Sequence, residues 1–104
     1  MIKEIIVIIP SLNEEKVIGD VITGVKKAIY NCDVLVIDGN SYDNTVATSL
    51  KHGAEVIQVD KAFGIAAAVE AGILHAYRGN YKYLVRIDAD GQHPPNELKK
   101  LLCP

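Results

Sequence analysis

The chain opens on an uninterrupted apolar run, Ile5-Ile6-Val7-Ile8-Ile9, in which no polar residue marks a side facing water. A continuous β-branched run of this kind fits a strand covered on both faces, as in a parallel sheet. Pro10 ends it, because proline has no N–H for the ladder. From Glu14 the period changes, and Val17, Ile18, Val21, Ile22, Val25 and Ile29 form a helical stripe. Residues 33–37 predict a second buried strand, and a shorter helix follows over about 44–51, stopped at His52-Gly53. Residues 55–59 predict a third strand. Ile65, Ala68, Val69, Gly72, Ile73 and Ala76 outline a third helix that closes at Gly79-Asn80. A fourth strand is expected over 83–87, and residues 96–102 read as the start of another helix.

Strands alternating with helices require right-handed crossovers, which predicts an α/β fold with a mostly parallel sheet. Residues 1–104 have room for a single domain. In such a sheet the loops 10–15, 38–43, 60–64 and 88–95 all lie on one edge, where ligands of open α/β folds bind. The clustered polar residues of the chain fall in those loops.

The most informative loop is Asp88-Ala89-Asp90-Gly91-Gln92-His93-Pro94-Pro95. Two carboxylates spaced i, i+2 on extended backbone point to one side, and Gln92 adds a third oxygen. Oxygen-only ligands suit a hard cation, Mg2+ or Mn2+, whose usual work is to hold phosphates. The plain alternative is a polar strand end turning into a helix, with Asp90 or Asn96 as a cap. His93 reads as a loop residue shaping the turn before the two prolines. Ser11 and Glu14 have the S-x-x-E spacing of a helix-capping box. Ser41 or Asp43 could cap the second helix. Asp38 ends a buried strand, so its charge needs a partner: a nucleobase imide N–H, ribose hydroxyls or the backbone of its own turn.

Composition removes several function classes. The chain is 49% hydrophobic, with 11 basic and 13 acidic residues and a net charge of −2, which leaves no electrostatic footprint for nucleic acid. The absence of Trp and the single Phe63 argue against a base-stacking platform. No apolar run approaches a membrane span and no signal peptide is evident, so a cytoplasmic protein is expected. Cys32 and Cys103 lack metal-ligand spacing and read as free thiols.

Four segments taken together resemble the inverting family 2 glycosyltransferases of GT-A fold, closest to the polyprenol-phosphate mannosyl- and glucosyltransferase branch. They are Val7-Ile8-Ile9-Pro10-Ser11-Leu12-Asn13-Glu14-Glu15, the stretch from Val34 to Thr45, the stretch from Gly64 to Gly72, and Arg86-Ile87-Asp88-Ala89-Asp90-Gly91-Gln92-His93-Pro94-Pro95. The resemblance runs over nearly the whole chain and keeps motif order. It implies that Pro10, Leu12 and Glu14 contact base and ribose, and that Asp38 holds the base with Ile37 alongside. Asp88, Ala89 and Asp90 would hold ribose and pyrophosphate, and Asp88, Asp90 and Gln92 the metal. The implied donor is a nucleoside-diphosphate sugar of the GDP-mannose or UDP-glucose type. The implied acceptor is a polyprenyl phosphate at the cytoplasmic face of the membrane.

Two stretches depart from the family pattern. Gly39 stands where the family has a second Asp, and Gly64-Ile65-Ala66-Ala67-Ala68-Val69 replaces G-K-G-A-A-L, losing a lysine and a glycine near the donor. No residue is a convincing general base, and the family's acceptor site and base lie in a second half of comparable size. The expectation is a donor-binding half-domain with no turnover by itself and an apolar sheet edge open to self-association. A non-catalytic nucleotide-sugar-binding or assembly module is the competing reading. A sugar nucleotidylyltransferase would need a Gly-rich, Arg-containing loop where Pro10-Ser11-Leu12-Asn13 stands.

Overall fold

The structure, a computed structural model, describes residues 3–60, 62 and 64–89, together with the backbone of 99–102. The element order is β1 (Ile5–Ser11), α1 (Ile18–Ala28), β2 (Cys32–Asp38), α2 (Thr45–Lys51), β3 (Glu55–Gln58), α3 (Gly64–Arg78), β4 (Tyr83–Arg86) and β5 (Lys99–Leu102). The strands form one sheet in the order β3-β2-β1-β4-β5. β1 to β4 run parallel, whereas β5 is antiparallel to β4.

The apolar run of β1 does what its composition predicts. Ile6 and Ile8 pack into a layer with Leu35, Ile37, Leu84 and the α3 residues Ala68 and Ala76. Val7 and Ile9 pack on the opposite face with Ile18, Ile22 and Val25 of α1 and with Val34 and Val36 of β2. Successive strand residues alternate between faces, and both faces are covered by helices, so no polar position is tolerated until the strand ends.

Three local expectations change. The S-x-x-E box does not form. Ser11 is the last residue of β1, paired with Asp38 across the sheet, and its buried hydroxyl has no hydrogen-bond partner among the described residues. α1 consequently starts at Ile18, about one turn after Glu14, where the helical period begins, and Glu14 O accepts from Val17 N (3.1 Å) and Ile18 N (2.9 Å) just before it. The helix expected over 96–102 is replaced, over Lys99–Leu102, by β5, which pairs Leu101 with Leu84 and Lys100 with Val85. The open edge of β4 presents backbone donors and acceptors that need partners, and that demand overrides local helical preference. The C-terminal glycine stop of α2 is confirmed: Gly53 sits at φ +86° with its N–H on Leu50 O at 3.1 Å.

At the edge opposite the functional loops, the Tyr81 hydroxyl donates to Asp33, and Lys3 lies 3.2 Å from the same carboxylate. Burial first, and then the neighbouring carboxylate, push the Tyr81 phenol up, so it stays protonated. Cys32 is a buried free thiol whose pKa burial raises, which makes it a poor nucleophile. Cys103 lies outside the described residues. Among the described residues no helix is long and apolar enough to cross a membrane.

Gly72 is the point where α3 approaches the sheet most tightly. A Cβ there would stand 2.7 Å from Ile37 Cδ1 and 2.9 Å from Ile8 Cδ1. On an exposed helix Gly→Ala gains about 1 kcal/mol. Here both neighbours are fully packed, and overpacking of roughly 1–3 kcal/mol outweighs that gain. Gly72→Ala is therefore expected to lose about 1 kcal/mol net in denaturant unfolding, and a gain would show that the layer yields.

Candidate nucleotide-binding site

The chain runs outward from β1 to β2 to β3 and then returns to the far side of β1 as β4. The loops after β1 and β4 thus diverge from neighbouring strands, and a crevice opens at that switch point. A cleft of about 360 Å³ lies there, within the range of small-molecule sites. Pro10, Ser11, Leu12 and Glu14 form one wall, and Asp88 and Ala89 come from the end of β4. Ile37, Gly39 and Val59 close the sheet side, while Gly64, Ile65 and Ala68 bring in the start of α3.

Six of the residues singled out from sequence therefore meet around one space: Pro10, Leu12, Glu14, Ile37, Asp88 and Ala89. Asp38 is placed differently. Ile37 belongs to the α3-side layer, so strand alternation turns Asp38 toward the α1 and α2 loops. Its carboxylate is fully buried and accepts from Ser41 N at 2.8 Å, from the Ser41 hydroxyl and from Gln58 Nε2 at 3.4 Å. Of the partners Asp38 could take, its own turn supplies Ser41, and Gln58 of β3 adds another. Asp90, Gln92 and His93 lie outside the described residues.

Asp88 is half-buried, with Arg86 Nη2 at 3.2 Å from its Oδ1. Arg86 escapes a search confined to loops because it sits inside β4. Its i, i+2 spacing to Asp88, the same period that pairs Asp88 with Asp90, was the available signal. It places a fixed cation at the rim of a cleft that otherwise carries the carboxylates Glu14 and Asp88.

The loop after β2 is built around a second carboxylate. Asp43 Oδ1 accepts from Thr45 N at 3.0 Å and from the Thr45 hydroxyl, and Oδ2 accepts from Glu15 N at 3.3 Å. Asp43 thus accepts from the first amide of α2, while the N-cap position itself is held by Asn44, which makes no side-chain cap bond. Ser41 reaches instead to Asn13 N at 2.8 Å, in the loop after β1.

With this geometry the comparisons are decisive. The profile of glycosyl transferase family 2 matches residues 6–103. The chain belongs to that family. It is 36% identical over 101 residues to an uncharacterized protein of Methanocaldococcus jannaschii, covering 97% of this chain and 41% of that protein. It is 34% identical over 103 residues to the polyprenol monophosphomannose synthase of Mycolicibacterium smegmatis, covering 93% of this chain and 39% of that protein. Among solved structures it is similar to glucosyl-3-phosphoglycerate synthase from Mycobacterium tuberculosis in complex with Mn2+, UDP and glucosyl-3-phosphoglycerate. That likeness has a TM-score of 0.70 at 27% identity and covers 85% of this chain and 34% of the other. The chain spans less than half the length of the relatives it matches. The layered sheet and the crevice at its switch point are those of the GT-A fold.

Asp43 gives the loop after β2 a pH signature. Desolvation works against its ionisation, but hydrogen bonds from the Thr45 hydroxyl, Thr45 N and Glu15 N outweigh it and hold the carboxyl below its usual value. A depressed pKa stabilises the fold above the unfolded value, about 3.9 for aspartate, and that contribution is lost as pH falls through the lower folded value. Asp43→Asn should therefore lower the melting temperature clearly at about pH 7 and much less at about pH 3. An equal deficit at both pH values would show that the charge of Asp43 contributes nothing.

Proposed function

We propose that the cleft binds a nucleoside-diphosphate sugar for inverting transfer of a hexose, with a polyprenyl phosphate as acceptor. The observation that carries this reading is the convergence of Pro10, Leu12 and Glu14 with Asp88 and Ala89 around one cavity at the switch point. The wall from the loop after β1 suits base and ribose, being apolar apart from Glu14 and Ser11. The acidic end at Asp88 suits the diphosphate only if a cation accompanies it. The named relatives divide over the finer question: one is a polyprenol monophosphomannose synthase, the other a glucosyl-3-phosphoglycerate synthase. A polyprenyl phosphate is favoured by the sequence relative, which matches at higher identity.

A Mg2+ or Mn2+ ion fits the residues present. Asp88 offers the hard oxygen donor such ions take, and among the described residues no group of three or more His, Cys, Asp or Glu gathers to form a complete protein cage. A metal held jointly with phosphate oxygens needs only part of its ligands from the protein. Asp88 would hold the ion together with Asp90 and Gln92. When bound it would neutralise the charge that builds on the departing diphosphate. The work of the chain itself is to hold the base end of the donor against Pro10 and Leu12 and to orient the diphosphate toward Asp88. The relatives this chain matches are more than twice its length.

Calorimetry on the 104-residue chain tests the donor site without needing turnover. Mn2+ should bind at least roughly tenfold more tightly with UDP or GDP present than without, because the diphosphate completes the coordination. Asp88→Ala and Asp90→Ala should each abolish that enhancement. Equal metal affinity with and without nucleotide, or full enhancement in both variants, would refute the assignment. The better ligand of the two nucleotides identifies the base.

A further inference from the structure

The wall of the cleft formed by the loop after β1 is not held by its own sequence. α1 has no side-chain cap of its own, and the consecutive amides of residues 13–15, in the loop before it, all find side-chain oxygens between Ser41 and Thr45. Asn13 N donates to Ser41 Oγ at 2.8 Å, Glu14 N donates to Thr45 Oγ1 at 2.8 Å, and Glu15 N donates to Asp43 Oδ2 at 3.3 Å. One bond runs the other way, from Tyr42 N to Asn13 Oδ1 at 3.0 Å. Asn13 itself has φ 53°, a left-handed conformation that local sequence does not favour outside glycine and asparagine.

Each hydroxyl in this contact is also polarised from behind. Ser41 Oγ donates to Asp38 Oδ1, and Thr45 Oγ1 donates to Asp43 Oδ1, both at 2.5 Å. A hydroxyl has one proton. Once it is given to a carboxylate, only lone pairs remain to face the amide, so the rotor is fixed and the acceptor is strengthened. The result is two parallel relays, carboxylate to hydroxyl to amide, that tie the loop after β2 to the loop after β1. None of Asp38, Ser41, Asp43 or Thr45 lines the cleft, whereas Leu12 and Glu14, on either side of Asn13, do.

We propose that Ser41 and Thr45 are positioning residues of the donor site: through Asn13 N and Glu14 N they clasp the Pro10–Glu14 wall in its nucleotide-binding geometry without touching the nucleotide. The proposal rests on the donor-site reading above for its consequence, but not for its structural content. A wall misplaced by a fraction of an ångström weakens every contact it makes, so the clasp acts on affinity at a distance.

Amide hydrogen exchange and nucleotide binding, measured on the same proteins, test it. Ser41→Ala should speed exchange at Asn13, and Thr45→Val should speed it at Glu14, each by roughly three- to tenfold, the loss expected for one hydrogen bond. Affinity for UDP or GDP with Mn2+ should fall by a similar factor, roughly three- to tenfold. Ser41→Thr, which keeps the hydroxyl, should restore both. Asp33→Asn removes the Tyr81 and Lys3 partner at the opposite edge. It should lower global stability while leaving Asn13 exchange and the affinity of the folded protein unchanged. Unchanged protection in Ser41→Ala and Thr45→Val would overturn the clasp, as would faster exchange with undiminished affinity. If the unsubstituted chain binds neither nucleotide, the donor-site reading fails, and the exchange rates alone still decide whether the clasp exists.

Discussion

Strand β1 is paired along its length with β2 on one side and over Ile5–Ile8 with β4 on the other, and apolar layers cover both of its faces. Any slip of one residue would carry Val7 and Ile9 into the α3 layer and Ile6 and Ile8 into the α1 layer, against packing shaped for the reverse. The register Ser11 to Asp38 and Ile8 to Arg86 follows from that lock. Everything at the functional edge inherits its position from it. The wall of the cleft leaves β1 at Pro10, Asp38 ends β2 beside Ser11, and Asp88 stands just beyond the last paired residue of β4.

Two kinds of energy divide the work. Burying an isoleucine or leucine side chain contributes roughly 1.5–3 kcal/mol, and β1, β2 and α1 supply many of these, so the core decides which fold forms. A single hydrogen bond between loops contributes only about 0.5–1.5 kcal/mol net. It cannot choose a fold, but it is directional, and direction is what a binding wall needs. The carboxylates Asp38 and Asp43 sit where the two regimes meet. Asp38 is fully buried at the end of an apolar strand, a costly place for a charge. Its hydrogen bonds to Ser41 and Gln58 offset that cost, and through Ser41 the same charge orders the loop after β1.

Much of this architecture was legible in the chain. Continuous β-branched runs, helical stripes and glycine stops are local signals, and alternation of strand with helix leaves little choice of topology. The family pattern brought Pro10, Leu12, Glu14, Ile37, Asp88 and Ala89 to notice, and all six line one cleft. Signals failed where the partner is distant in sequence. Ser11 and Glu14 have the spacing of a cap, yet Ser11 is drawn into β1 by pairing with Asp38, 27 positions further along. Residues 99–102 lack any local mark of a strand and become one because the edge of β4 is open. Arg86 looks like an ordinary polar interruption of β4 until its guanidinium is seen beside Asp88.

By itself, then, the sequence determined the types of the first seven elements, the parallel sense of the first four strands and the edge on which polar groups gather, since all of these follow from period and from steric limits on short stretches of chain. Only the tertiary structure decided which oxygen meets which amide. Ser41 and Asn13 are separated by 28 positions and Thr45 and Glu14 by 31, and no local pattern encodes a contact between two loops. Their meeting depends on the register of β1 with β2. That register is set by side-chain packing on both faces of the sheet at once, which no single stretch of sequence records.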